Sequence, residues 1–282
     1  PDSRFAGPLL HRGAAGRVRV EPSPILRPLY PPGSRGSGVA VSVDSRGERL
    51  AVSCGEGVAV ADIASGALRF TLPAAGTTSV LWADEDRALL TCSPAGLQQW
   101  AVPGGEVSAP PPGEVLFETG RYPWVGLDAS AGGRMVTSVD RNTRAVIFPA
   151  GGGPAPISVP AENPGDAAIS PDARYLLLGM SFAGQATVFD AATQQPVRTL
   201  PLPHRTNVYW SPGGNFAAGS GPAHTIWDTS TWQPLPLPVL EPNTYPNGGC
   251  AFYDPAADRS PAFAALVEGN SRIALIALPD CR

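Results

Sequence analysis

Short apolar runs, four to five residues long and rich in Val, Ile, Leu and aromatics, recur along the whole chain. Polar turns cut them apart. No stretch keeps an apolar period of 3.6 residues for long enough to make a helix, so the pattern predicts strands. One phrase returns: a small or acidic turn, a long polar residue, then an apolar run. It reads PDSRFAGPLL from Pro1, DSRGERLAVS from Asp44, DEDRALLTC from Asp84, SAGGRMVTS from Ser130, SPDARYLLLG from Ser170 and SPGGNFAAGS from Ser211. A degenerate copy, DPAADRSPAFAALV, starts at Asp254. Arg4, Arg49, Arg87, Arg134, Arg174, Asn215 and Arg259 hold the equivalent place, at intervals of 45, 38, 47, 40, 41 and 44 residues.

A period near 42 is that of β-propeller blades, each a four-stranded sheet. The copy near Asp166 carries the plan: strand A at Ala167–Ile169, strand B at Tyr175–Leu178, strand C at Ala186–Phe189, a turn at Asp190–Gln195 and strand D at Pro196–Leu200. A β-sandwich also has closely spaced strands, but it would not repeat one turn-plus-strand phrase seven times. The expectation is an all-β single domain over residues 1–282, a propeller of about seven blades. The first copy starts inside its turn and lacks strand A. The last ends after strand C, Arg272–Leu278, and lacks strand D. The chain begins at Pro1 without an initiator Met or signal peptide, so it is read as a piece of a longer protein, expected in the cytoplasm.

Composition narrows the function. The chain has 282 residues, with 32 Gly and 33 Pro dispersed along it, which fits frequent turns rather than one linker. It contains no lysine and its formal charge is −4, so there is no basic footprint for nucleic acid. The longest clean apolar run, Ile273–Leu278, is too short to span a membrane. Cys54, Cys92, Cys250 and Cys281 form no CxxC pair and His11, His204 and His224 form no HExxH, so no metal or other cofactor is expected. Cys250 and Cys281 would pair only in an oxidising compartment.

Three stretches carry a family look: TVFDAATQQPVRTLPLPHRTNVYWSPGGNFAAGS (Thr187–Ser220), IWDTSTWQPLPLP (Ile226–Pro238) and GVAVSVDSRGERLAVSCGEGVAVADIASGALRFTLP (Gly38–Pro73). They resemble WD40 repeats, with one intact Trp-Asp at Trp227-Asp228 and Val60-Ala61-Asp62 in the same place of another copy. The style is similar to WD40 regions of planctomycete-type bacteria, often appended to serine/threonine protein kinases. The resemblance implies a monomeric propeller that binds protein partners as a scaffold or sensor. The family's Gly-His pair is missing; His204 alone stands near its place. The family's buried Trp–Ser–His–Asp network is therefore expected only in part.

No kinase motif, phosphate loop or GxSxG elbow lies in the chain, so no catalytic residue is assigned. Two loops hold the residue types of protein-binding hot spots. One is an extended insert from Pro110 to Trp124, with Arg121, Tyr122 and Trp124; the other contains Tyr245. Trp124 also suits the start of the next strand A. Trp82, Trp100, Trp210 and Trp227 sit at repeated strand positions and are read as core. The alternative function is a metal-dependent propeller hydrolase or lactonase with a central-channel site at Asp128, Asp166 and Asn207. A third is a structural spacer.

Overall fold

The structure is a computed structural model. It describes residues 10–12, 18–20, 40–54, 56–102, 113–118, 124–140, 144–150, 156–180, 183–202, 207–220, 223–237, 250–253, 263–268 and 272–278.

Strands β1 (Leu10–Arg12) and β2 (Val18–Val20) form a two-stranded antiparallel sheet. Six larger sheets follow. Sheet I holds β3 (Val41–Val43), β4 (Arg49–Cys54), β5 (Gly57–Asp62) and β6 (Leu68–Leu72). Sheet II holds β7 (Ser79–Ala83), β8 (Ala88–Ser93), β9 (Gly96–Ala101) and β10 (Glu114–Phe117). Sheet III holds β11 (Trp124–Ala129), β12 (Met135–Asp140), β13 (Arg144–Pro149) and β14 (Ile157–Pro160). Sheet IV holds β15 (Pro164–Ile169), β16 (Tyr175–Met180), β17 (Gln185–Asp190) and β18 (Pro196–Pro201). Sheet V holds β19 (Asn207–Trp210), β20 (Phe216–Ser220), β21 (His224–Asp228) and β22 (Gln233–Pro234). Sheet VI has three described strands, β23 (Cys250–Tyr253), β24 (Phe263–Glu268) and β25 (Arg272–Ala277).

The protein is thus all-β, with five four-stranded antiparallel meanders, an arrangement consistent with the expected propeller. The four strands of sheet IV fall where the apolar runs predict them. One expectation needs correction. The stretch from Pro110 to Trp124 is not a single extended insert, because Glu114–Phe117 is the fourth strand of sheet II and pairs with β9. Phe117 meets Phe148 of sheet III edge to face, with centroids 5.5 Å apart.

Each sheet packs on the next through its first strand, so that β7 lies against β3 and β4, and β15 against β11 and β12. Successive side chains of a strand point to opposite faces, and in the inner strands of sheets II to V both faces are covered. On β8, Leu89 joins Ala51, Val58, Val60 and Leu72 of sheet I, whereas the adjacent Leu90 joins Val136, Val146 and Phe148 of sheet III. On sheet IV, Leu176 and Leu178 face sheet III while Leu177 faces Val208, Ala217 and Trp227 of sheet V. Trp82, Trp100 and Trp227 are buried, as the core reading of the tryptophans expects, and Trp210 is half-buried.

The repeated phrase has a hydrogen-bonded cause. Between strands one and two, Ser170 Oγ accepts the Tyr175 N–H at 2.8 Å and Ser211 Oγ accepts the Phe216 N–H at 3.0 Å. Ser130 Oγ accepts the Met135 N–H at 3.0 Å. Asp44 does the same work with a carboxylate: Oδ1 accepts from the Glu48 and Arg49 amides and Oδ2 from Arg49 Nε. Burial works against ionising Asp44, but these Arg49 and Glu48 donors outweigh it and hold its carboxyl below the usual range. The fourth residue of these turns is left-handed, with φ of +70° at Gly47, +66° at Gly133, +61° at Ala173 and +75° at Gly214. The turns between strands three and four use Asp62, Asp190 and Asp228, whose Oδ1 accepts amides two or three residues on.

Ser211 is fully buried and its oxygen serves a buried amide. Ser211→Ala should therefore lower unfolding free energy by about 1–2 kcal/mol in urea titration, whereas Ser230→Ala in an exposed turn should cost roughly 0.5 kcal/mol or less.

Candidate functional site

The first strands of the sheets carry polar residues that the apolar pattern does not call for. Ser42 Oγ on β3 accepts the Trp82 N–H of β7 at 3.1 Å, and Trp82 Nε1 donates to the Ser42 carbonyl at 3.2 Å. Asp128 Oδ2 on β11 accepts the Ile169 N–H of β15 at 2.8 Å. Asp166 Oδ2 on β15 accepts the Val208 N–H of β19 at 3.0 Å. Tyr209 on β19 hydrogen-bonds the Asn207 side chain and the Cys250 backbone of sheet VI. Between sheets II and III, Cys92 Sγ lies 3.8 Å from Ser138 Oγ, which donates to the Gly126 carbonyl at 2.9 Å. A polar link therefore crosses every seam from sheet I to sheet VI.

Asp128 and Asp166 keep some solvent-accessible surface on their strands, but their carboxyl groups are enclosed by protein. Burial pushes Asp128 up to about 6, against the Ile169 and Ala129 amides that lower it. Burial pushes Asp166 up to about 7, against the Val208 and Ala167 amides, and the charge of Asp128 adds to the rise. Burial and the Asp166 charge also raise Tyr209 to about 12. Burial alone raises Cys250 to about 12; Cys92, opposed by Ser138, reaches about 12 as well. These thiols are buried and unreactive in character.

The structure places Asp128, Asp166 and Asn207 on three successive first strands, β11, β15 and β19. Among the described residues no three His, Cys, Asp or Glu side chains gather as a metal site. The carboxylate oxygens bind backbone amides of the next sheet, which is a positioning role. Of the hot-spot residues, Trp124 is the first residue of β11; its side chain, and Arg121, Tyr122 and Tyr245 altogether, lie outside the described residues, as does His204.

A groove of about 690 Å³ opens between the outer strands of sheets IV and V, lined by Arg198, Leu200, Thr225, Trp227, Trp232 and Gln233. Trp232 was not singled out by sequence reasoning. It has φ +58° where the sister turns have Gly66 and Gln194, and it meets Trp210 edge to face at 5.8 Å. The signal was present: a bulky residue at the turn position that favours Gly.

The rim of the strand one–two turns is tied laterally. The amides of Asp84 and Glu85 donate to the carbonyls of Gly133 and Gly132, and Arg134 pairs with Glu85 at 3.0 Å. On the other side the Asp86 carboxylate accepts from the Ser45 amide and hydroxyl. Asp84, Glu85 and Asp86 all have positive φ, so this turn is strained and held by its neighbours. No helix among the described residues is long and apolar enough to cross a membrane.

In sheet II, Trp100 Nε1 donates to Thr91 Oγ1 at 2.9 Å, both residues being buried. Comparison with protein-family models and with curated proteins gives no match.

Gly126 has φ +67°, and a Cβ there would lie 2.8 Å from Asp166 Oδ1. Gly126→Ala is expected to destabilise the fold by about 1–3 kcal/mol, and Asp166→Ala to relieve part of that loss in the double variant, read by a double-mutant cycle in urea.

Proposed function

We propose that the chain is a WD40-like β-propeller of about seven blades, the first and last incomplete, that acts as a non-catalytic protein-interaction scaffold or sensor. The stack of sheets I–VI carries this reading. Each four-stranded meander packs through its first strand on the next, with the same turn chemistry repeated. The Trp100–Thr91 bond is similar to one link of the WD40 Trp–Ser–His–Asp network.

Such a stack is a rigid frame. Its connections are the variable surface, which suits recognition rather than chemistry. The partner on this reading is a protein, bound by a monomeric propeller with Arg121, Tyr122, Trp124 and Tyr245 in the contact, with no nucleic acid and no cofactor. The parent is a bacterial serine/threonine kinase carrying this region as a cytoplasmic docking or sensing part. The hydrolase alternative has its candidates on adjacent first strands, but Asp128 and Asp166 each commit an oxygen to a backbone amide, which favours the scaffold.

Affinity capture with the wild type and with Tyr122→Ala/Trp124→Ala tests it. The expected outcome is a partner whose binding weakens at least about tenfold in the variant. Identical partners at identical affinity would remove these residues from the contact, and capture of none would count against the scaffold.

A further inference from the structure

We propose that Asp128 and Asp166 form a proton-operated latch across the seams of sheets III, IV and V, closed while a carboxyl keeps its proton and loosened when both ionise.

Its basis is geometric. Each carboxyl reaches out of its own sheet to a backbone amide of the next, Asp128 to Ile169 and Asp166 to Val208. Asp166 also reaches backwards: Oδ1 lies against Gly126, where a Cβ would come within 2.8 Å. One side chain therefore contacts three successive first strands, β11, β15 and β19. The bulges between Val125 and Leu127 and between Pro164 and Asp166 set this register. The carboxyl cannot swing to water without disturbing one of these contacts.

Among the described residues, no counter-charge enters the interactions of either carboxyl. On β11 the facing ionisable group is Asp128 itself; on β19 it is Tyr209, beside Asn207; beyond, on β23, it is Cys250. All three are neutral or acidic. No arginine of the described residues enters the interactions of either carboxyl. Protonated, each group keeps an oxygen for its amide and adds no charge. Ionised together, two like charges sit in an enclosed site, and two amide hydrogen bonds do not offset their desolvation and repulsion.

The sign follows from the raised values of about 6 and about 7. Folding favours the protonated forms. Their contribution is complete below the ordinary carboxyl value near 3.8 and is lost as pH rises through about 6 to 7. Asp62, Asp190 and Asp228 run the other way: the Arg69, Thr193 and Ser230 hydrogen bonds lower them, and their stabilisation is lost only as pH falls below 3.8. The window from pH 5 to pH 8 therefore isolates the latch from them, and comparison with a single-site variant cancels the histidines.

The experiment is thermal unfolding of the whole chain at pH 5 and pH 8, with Asp166→Asn and Asp128→Asn beside the wild type. Asn keeps the acceptor and cannot ionise. The wild-type Tm should fall by about 5 °C from pH 5 to pH 8. Asp166→Asn should remove at least half of that fall, and Asp128→Asn a smaller part. A fall of equal size in Asp166→Asn would overturn the latch. Carboxyl carbon NMR of the wild type gives a second readout that no variant's folding affects. Two aspartate midpoints above 5.5 support the proposal, and all midpoints below 4.5 refute it.

Discussion

Among the described residues no sheet has a core of its own; each of the five cores is shared by two sheets. The alternation of side chains along each strand sends neighbouring residues, such as Leu89 and Leu90, into two different cores, each completed by a different sheet. For sheets II to V, removing water from one sheet therefore requires two others. At about 25 cal/mol per Å² of apolar area, this shared burial is the dominant stabilising term. Everything else in the structure, from the turn serines to the aspartates of the first strands, acts on sheets that this requirement has already brought together.

Polar groups then settle how the sheets lie against one another. Apolar faces slide with little penalty, whereas a hydrogen bond to one particular backbone amide does not. Ser42, Asp128 and Asp166 each select one residue on the following first strand, at sequence separations of 40, 41 and 42. These separations match the repeat period, so the period in the sequence is the spacing of these links. Using a carboxyl where a serine would serve introduces a titratable group into the seam, and with it a dependence on protons that a serine link lacks.

Much of the architecture was legible because its causes are local. The turn phrase is legible at Ser170 and Ser211 because their side chains serve an amide five residues ahead. The strands of sheet IV were legible because Tyr175–Met180 and Gln185–Asp190 are apolar runs between turn formers. Glu114–Phe117 was not: it follows three prolines, and its pairing with β9 is set by contact across sheet II rather than by its own pattern. Asp128 and Asp166 were visible as residues but not as buried links. An aspartate near a strand end reads the same whether it faces water or the next sheet, and only the neighbouring strand decides. Trp232 escaped for a related reason, since its strained turn is stabilised by Trp210, a residue of the sheet's opposite strand.

The turn from Asp84 to Arg87 has a mechanical meaning. It grips Ser45 in sheet I with one carboxylate, and Gly132, Gly133 and Arg134 in sheet III with two amides and another carboxylate. The Ala131 amide carries the chain of bonds on to Pro171 in sheet IV. A load applied at sheet I thus reaches sheet IV along the rim without stretching the strands of sheet II. Sheet II is thereby tied at its rim to a neighbour on each side, by Ser45 and by Gly132, Gly133 and Arg134.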